Sequence, residues 1–323
     1  ACVFGFFSIE GFAENSVYQP VPTMEHPSDN AWSKDKEELG KMLYFDPRLS
    51  GSNWISCATC HNPGLGWSDG LPRTIGDGQK ELGRHSPTII NSGYFTLQMW
   101  DGRKKSLEDQ ATGPIGAAGE MNQDYDALIK ELQAIPGYVS LFDKVFGNNS
   151  ITMSNIAKAI ATFERSVVSK NSPYDKYWAG DKTAMSSSSV NGMNLFFGKA
   201  KCSICHNGPV FTDSGFHNIG VKPAGPLKVD LGRYNESKDD FDKGAFKTPG
   251  LRDITKSAPY MHNGTEATLE DVIEFYDRGG DAKENVSPFI TPLGLTGQEK
   301  KDLVEFLKAL DGEPILVTLP MLP

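Results

Sequence analysis

Cys57-Ala58-Thr59-Cys60-His61 and Cys202-Ser203-Ile204-Cys205-His206 are two copies of one pattern, Cys-x-x-Cys-His, in a chain of 323 residues. We call them the first motif and the second motif. Two thiols at this spacing can form thioethers with the vinyl groups of one haem while the adjacent histidine ligates the iron. A lone Cys-x-x-Cys could instead be a redox dithiol or half of a zinc site, but a structural zinc site needs four ligands. The motifs therefore predict two covalent haems c, attached at Cys57, Cys60, Cys202 and Cys205 and ligated by His61 and His206.

The composition agrees with a haem protein and excludes some partners. The formal net charge is −9 and no basic cluster is present, which argues against binding to nucleic acid or to an anionic membrane surface. The hydrophobic fraction of 38% is low for this length, but two buried porphyrins would supply apolar volume. After residue 13 no apolar run approaches the ~20 residues of a membrane helix, so we expect no membrane span.

The cysteines indicate a compartment. Four of the five lie in the motifs, which leaves Cys2 without a predicted role. Because haem c is attached after export, we expect a periplasmic or other extracytoplasmic location. Residues 1–31 are predicted to form an N-terminal arm, and its apolar start is read either as the end of a signal peptide or as a segment packed on the body.

The two motifs lie in similar surroundings. Residues 40–45 and 192–197 both read Gly-x-x-Leu-aromatic-Phe, and each stretch precedes a motif. After each motif comes an aromatic-hydroxyl-Asp triplet, Trp67-Ser68-Asp69 or Phe211-Thr212-Asp213. This self-similarity predicts two copies of one unit, and a short helix before each haem motif is typical of a cytochrome c domain.

Helical patterns predict a mostly α fold. Apolar residues recur at helical spacing in residues 34–45 and 154–168, and capping-box patterns at Thr268 and Thr296 predict two further helices. The serine run at 186–189 is predicted to be an exposed connection near the boundary between domains. We expect two cytochrome c-like domains, each with one covalent haem c, at residues 32–175 and 176–323.

Several stretches resemble the bacterial dihaem cytochrome c peroxidases, and within them the MauG-like branch. The resemblance covers roughly residues 32–311. It depends on residues 43–50 (Leu-Tyr-Phe-Asp-Pro-Arg-Leu-Ser), 86–88 (Ser-Pro-Thr), 100–103 (Trp-Asp-Gly-Arg), 119–121 (Gly-Glu-Met), 246–249 (Phe-Lys-Thr-Pro) and 258–264 (Ala-Pro-Tyr-Met-His-Asn-Gly). The resemblance implies that the haem of the first motif reacts with peroxide and that the second haem stores or relays electrons.

The resemblance also implies which residues surround the first iron. Glu120 and Gln110 match the family's distal pair, and a positioned carboxylate can shuttle a proton during cleavage of H2O2. Trp100 matches an indole between the haems, although it is also readable as a core aromatic. The ordinary peroxidases carry a distal histidine in the loop that matches residues 74–78, where this sequence has Asp77. His85 lies eight residues further on, either as a ligand or in a structural role, and we expect an open position on the first iron.

At the second iron the resemblance implies Tyr276 as the sixth ligand, where ordinary peroxidases place methionine. A phenolate is a hard anionic donor that should lower the reduction potential. The alternative is a buried tyrosine with Met261 as the ligand. His262 and His217 are expected beside the haems and not on the irons.

Two departures from the MauG pattern stand out. The pattern implies a surface tryptophan two residues before the second motif, where this sequence has Ala200, so the route to a partner is left open. It also implies an inter-domain calcium held by an asparagine, where this sequence has His85, and by carbonyls at Ser257 and Pro259. Imidazole is a poor ligand for a hard cation, which argues against calcium here.

The sequence therefore predicts a MauG-like dihaem peroxidase. It is expected to reduce H2O2 and to oxidise either a residue on a partner protein or a small redox donor, such as a cytochrome or a cupredoxin. Peroxide removal by an ordinary cytochrome c peroxidase is one alternative. The other is a non-enzymatic dihaem electron carrier, which the lack of a distal His or Met for the first haem disfavours.

Overall fold

A computed structural model describes residues 19–323, so the predictions for Cys2 and the apolar start of the arm lie outside the described residues. The described chain is mostly helical, as predicted. Its α-helices are α1 (Lys34–Phe45), α2 (Cys57–Cys60), α3 (Leu107–Gly116), α4 (Tyr125–Gln133), α5 (Pro136–Phe146), α6 (Met153–Glu164), α7 (Pro173–Trp178), α8 (Ser187–Phe197), α9 (Tyr234–Ser237), α10 (Leu269–Asp277) and α11 (Gly297–Lys308). Two short strands, β1 (Phe216–His217) and β2 (Phe246–Lys247), pair antiparallel, with Phe216 opposite Lys247.

The predicted helix starts are confirmed by their caps. α1 begins after Ser33, whose hydroxyl accepts the Lys36 backbone N–H. Thr268 and Thr296 start α10 and α11 with capping boxes. Each cap satisfies backbone donors that have no partner within the helix, which is why these boundaries follow the sequence closely.

The structure of the serine run at residues 186–189 was predicted wrongly. Residues 187–189 are not an exposed connection but the first turn of α8, and Ser186 caps this helix by accepting the Ser189 backbone N–H. Serine is a preferred N-cap residue, and Ser188 and Ser189 also bond Asp302 and the Glu305 carbonyl of α11. The helix predicted over 154–168 ends earlier, at Glu164.

In each half of the chain, two helices cross closely at a glycine. In the first half, a Cβ on Gly40 of α1 would overlap the Ala159 carbonyl of α6. In the second half, a Cβ on Gly192 of α8 would overlap the Asp302 carbonyl of α11. Since both helix pairs approach too closely for a side chain, the repeated Gly-x-x-Leu-aromatic-Phe pattern marks one packing geometry used twice.

An aromatic triad follows each crossing. Tyr44, Trp67 and Phe163 form the first aromatic triad, and Phe196, Phe211 and Phe306 form the second. The Tyr44–Phe163 centroids lie 5.1 Å apart at 61°, and the Phe196–Phe306 centroids lie 5.1 Å apart at 62°. The sequence repeat is thus also a repeat in three dimensions.

Two hydrophobic cores result. One is built from buried residues between Leu39 and Val167, and the other from residues between Tyr174 and Leu310. The chain then returns, because Ile315 and Val317 pack against the first core. The domain limits 32–175 and 176–323 stay a prediction. Among residues 19–323, no helix has the length and apolar content that a membrane span requires.

Candidate active site

One cavity of about 870 Å³ joins the two motifs. Its walls include the cysteines and the histidine of both motifs. They also include every other residue predicted for the site, namely Trp100, Gln110, Glu120 and Tyr276. The two halves of the chain therefore share one internal space, which runs from one motif to the other.

Both motif histidines are anchored through Nδ1, an arrangement that would suit iron ligation. His61 Nδ1 donates to the Pro87 carbonyl over 2.9 Å, and His206 Nδ1 donates to the Phe211 carbonyl over 3.0 Å. Burial lowers the pKa of both imidazoles. Each ring is therefore neutral, with its proton on Nδ1, and Nε2 keeps the lone pair that a metal needs.

The four motif thiols are available for thioether formation, because all are free cysteines. Burial raises the pKa of each, to about 12 for Cys60 and to about 11 for Cys205, so they are protonated thiols in the protein without cofactor. Within residues 19–323 the cluster of metal-binding side chains is Cys205, Asp213 and His217. Because this cluster includes a second-motif cysteine, it belongs to the site already described.

A buried cation adds to the fit for haem. Lys247 is 8% exposed and borders the cavity. Its Nζ lies 4.1 Å from the centre of the Phe95 ring, and no ion pair of this ammonium is found within residues 19–323. Burial lowers its pKa to about 8. An unpaired buried lysine is complementary to the propionates, the anionic groups of a haem, so the residues present fit this cofactor.

Glu120 and Gln110 lie at the first motif. Glu120 follows α3 and is close enough to Cys60 to raise the pKa of that thiol. Burial raises the pKa of Glu120 itself, against the nearby Arg103 guanidinium, which lowers it. Gln110 is on α3, where its Nε2 lies 3.9 Å from Met99 Sδ. A carboxyl that holds its proton more tightly than usual thus borders the cavity beside an amide.

Asp77 does not line this cavity. It is half-buried, and its carboxylate accepts a 2.9 Å hydrogen bond from Asn122 Nδ2. Hydrogen bonds from Ser52 and Asn122 lower the pKa of Asp77. The loop is also attached through its backbone, because the Asp77 N–H donates to the Glu120 carbonyl over 2.9 Å. The residue at the loop position of the usual distal histidine is therefore a carboxylate outside the cavity wall.

His85 lies where the two halves of the chain meet, near the carbonyls of Leu71 and Ser257. Its ring is buried, with Nδ1 donating to the Leu71 carbonyl over 2.8 Å and Nε2 at 3.4 Å from Ser68 Oγ. Burial lowers its pKa, while the carbonyls of Leu71 and Ser257 raise it. Since its Nδ1 donates to the Leu71 carbonyl and its Nε2 faces Ser68 Oγ, the structural role of His85 is favoured over the ligand role. An imidazole N–H directed at a carbonyl is also not a cation ligand, so calcium is not part of our proposal.

Trp100 is held by segments from both halves. Its indole Nε1 donates to the His85 carbonyl over 2.9 Å, and its own carbonyl accepts the Lys247 N–H over 2.8 Å. The His262 ring lies 6.5 Å from it and stacks on Phe246 at 3.6 Å. The indole is therefore fixed in the cavity wall by segments from both halves, and the His262 ring lies beside it.

Tyr276 faces the second motif from α10. Burial raises its pKa, and the Cys202 and Cys205 sulfurs add to this effect. Met261, the alternative ligand, also borders the cavity. His217 borders it too and lies 2.9 Å from the Asp213 carboxylate. Ala200 is buried, so this position offers no surface side chain to a partner.

Sequence reasoning missed Glu164 and Lys247, two buried ionisable residues of the cavity wall. Glu164 was read as part of a helix with one apolar face. Aligning the two copies of the repeat at their helix crossings identifies it. Gly40 contacts Ala159 and Phe163, and Gly192 contacts Asp302 and Phe306. In this register Glu164 of the first copy corresponds to Leu307 of the second.

The fold and the cavity define a class: helical proteins in which two Cys-x-x-Cys-His motifs share one internal space with a tryptophan and a carboxyl. A family model for di-haem cytochrome c peroxidase matches residues 34–183. The methylamine utilization protein MauG of Methylorubrum extorquens is 43% identical over 302 residues, covering 93% of this chain and 85% of the relative. The cytochrome c551 peroxidase of Nitrosomonas europaea is 38% identical, and the match covers 98% of this chain and 91% of the relative.

A solved structure agrees with these relatives. The crystal structure of a MauG-like protein associated with microbial copper homeostasis superposes with a TM-score of 0.85 at 32% identity, covering 92% of this chain and 95% of the other. This chain belongs to the di-haem cytochrome c peroxidase family. It is a MauG-like haem peroxidase, as the sequence predicted.

Proposed function

We propose that the first motif carries the haem that reduces H2O2, and that the second motif carries a His/Tyr-ligated haem that shares the oxidising equivalents. One observation supports this division above the others. Glu120 borders the cavity close to Cys60, whereas Tyr276 borders it close to Cys202 and Cys205. An acid–base group thus accompanies one motif, and a candidate sixth ligand accompanies the other.

At the first motif, haem supplies an iron that can bind peroxide. Glu120 accepts a proton from the near peroxide oxygen and returns it to the departing one. Its raised pKa suits this exchange, because an acid–base group works best when its pKa lies near the working pH. The Gln110 amide can both donate and accept a hydrogen bond, which suits it to orienting the same peroxide.

At the second motif, Tyr276 and His206 would both hold the iron of the second haem. Burial keeps this phenol protonated in the protein alone, so its proton must leave when the cofactor binds. A phenolate then favours the oxidised state of its partner. Trp100, fixed between the halves, connects the two positions.

Two further parts of the proposal concern attachment and location. Both cofactors are covalent haems c, one in each of the units 32–175 and 176–323. Thioether attachment follows export, so the protein works in the periplasm or another extracytoplasmic compartment. The electron donor is either a residue on a partner protein or a small cytochrome or cupredoxin.

Spectra of the fully ferric protein test this proposal. Optical and EPR spectra should show one high-spin haem, at the first motif, and one low-spin haem with a tyrosinate ligand. Two low-spin signals that do not change with H2O2 would instead identify an electron carrier. A low-spin haem with a methionine ligand would contradict the role of Tyr276.

A further inference from the structure

Glu164 is a buried carboxyl in the wall of the cavity. It is the last residue of α6 and is 5% exposed. It borders the cavity together with Ile160 of the same helix. Its Oε2 is buried and has no hydrogen-bond partner within residues 19–323. A carboxyl in such a place is costly to ionise, and the peroxide chemistry proposed above does not use it.

The neighbouring cation does not neutralise Glu164. The Arg165 guanidinium forms a bidentate pair with Glu108 of α3, at 2.6 and 3.1 Å. Glu164 also lies near Tyr44 of α1 and Cys57 of the first motif, since its charge would raise the pKa of both. These four groups, Tyr44, Cys57, Glu108 and Arg165, are the ionisable neighbours in the local field.

The balance of these neighbours favours a protonated carboxyl. Burial raises the pKa of Glu164 to about 8, Arg165 lowers it and Glu108 raises it further. The side chain is therefore neutral below this pH and becomes an anion above it. Because Cys57 is at the first motif, the nearest cofactor charge is that of the first haem.

The second copy has no such group. Leu307 occupies the equivalent position on α11, where it is buried in the second core and also borders the cavity. A leucine at this place is enough for the helix crossing and the cofactor wall. The carboxyl at the first motif therefore has a cost that packing does not require.

We propose that Glu164 compensates charge at the first haem: it holds a proton while this haem is reduced and releases it to the cavity when an electron is withdrawn. The inference rests on the proposed position of the first haem. One O–H bond of the carboxyl breaks, the proton goes to the cavity, the carboxylate remains, and the electron withdrawn from the haem goes to H2O2 or, in a titration, to the electrode. The added positive charge on the cofactor is offset by the new negative charge beside it.

Spectroelectrochemical titration of the holoprotein, from about pH 6 to about pH 10 on either side of the carboxyl's pKa, tests this linkage. The potential of the first haem should fall as pH rises, with up to one proton released per electron withdrawn. The potential of the second haem, which faces Leu307, is the internal control and should not show this contribution.

Two substitutions assign the proton. Glu164→Gln keeps the shape and hydrogen-bonding groups but cannot ionise, and Glu164→Leu copies the second domain. Both should retain two haems and remove the contribution of Glu164 to the pH dependence at the first haem, which leaves the contributions of Glu120 and Lys247. A parent potential that does not change with pH, or a Glu164→Gln potential that changes with pH just as the parent's does, would overturn the inference.

The same samples test the proposed function separately, through their reaction with H2O2 and their high-spin signal. Failure to react with H2O2, or loss of the high-spin signal, would count against the position of the first haem. If Glu164→Gln loads fewer than two haems, Glu164→Leu decides, since the protein already tolerates leucine at the matching position of the other copy.

Discussion

The first and second halves of the molecule share a scaffold but differ in the side chains that border the cavity. In both, a glycine lets two helices cross, and an aromatic triad packs nearby with one pair of ring centroids 5.1 Å apart. The hydroxyl of each aromatic-hydroxyl-Asp triplet also makes the same bond. Ser68 donates to the Ser86 carbonyl over 2.7 Å, and Thr212 donates to the Thr248 carbonyl over 2.6 Å. These bonds support the segments that contain Pro87 and Pro249, whose carbonyls face the motif histidines.

The difference lies in the wall of the cavity. The first motif is accompanied by two carboxyls, Glu120 and Glu164, and the second by Tyr276 and Leu307. Packing explains the shared residues and does not explain the differing ones. In our proposal, a duplicated scaffold holds two haems in the same way, while a few wall residues decide which haem handles protons and which is closed by a ligand.

The prediction with the largest expected effect concerns loss of one of the two haems. Replacing Cys202 and Cys205 with alanine should leave one covalent haem, and replacing Cys57 and Cys60 should leave the other, because thioethers form only at thiols. Haem stoichiometry after denaturation gives the count. Two haems that acid-acetone extracts from the parent would contradict covalent attachment at both motifs.

The second test removes the proton shuttle of the first half. Glu120→Gln should slow the reaction with peroxide by about 10²–10⁴-fold, the usual contribution of a positioned acid–base group, with unchanged haem content. Stopped-flow mixing measures the rate. Asp77→Asn is the matched control, because Asp77 does not line the cavity, and it should react like the parent. Equal rates for parent and Glu120→Gln would show that the proton travels by another route.

The third test concerns the closed position of the second half. Tyr276→Phe removes the phenolate and should change the low-spin spectrum and raise the potential of the second haem, since an anionic oxygen ligand favours the oxidised state. Met261→Leu is the comparison variant. If Tyr276→Phe leaves the low-spin haem unchanged and Met261→Leu alters it, methionine is the ligand.

The prediction with the smallest expected effect concerns the helix crossings that the two halves share. Gly40→Ala and Gly192→Ala should each destabilise the protein by about 1–3 kcal/mol, because the added methyl group overlaps a backbone carbonyl of the crossing helix. Thermal unfolding measures the loss. Gly297→Ala, where a Cβ has open space at the start of α11, is the control. A loss at only one of the two crossing glycines would mean that the crossings are not equivalent.

Local features of the chain were the most predictable. The bounds of α1 and the starts of α10 and α11 follow from caps and short-range periodicity, which the sequence displays directly. The serine run was misread because its composition suits a loop as well as an N-cap, and the partners that decide, Asp302 and Glu305, lie more than 100 residues away. The family was also recognisable, since its motifs are short and contiguous.

The site was predictable only in part. Trp100, Gln110, Glu120 and Tyr276 were found by resemblance, and all four border the cavity. The role of His85 was left open because its two ring partners, Leu71 and Ser68, come from a loop whose path the sequence does not reveal. Glu164 and Lys247 escaped notice because burial of a single charged residue depends on the whole packed structure.

The most direct test of the division between the two halves is rapid mixing of the fully ferric protein with H2O2, without a reductant. The wall at the first motif contributes no ligand from Asp77 or His85, since Asp77 does not line the cavity and the His85 ring donates to the Leu71 carbonyl and faces Ser68 Oγ. The account predicts an immediate reaction that begins with loss of the high-spin signal and then changes both haem spectra. No reaction until one electron is added would contradict it, and would mean that a sixth ligand closes the first position.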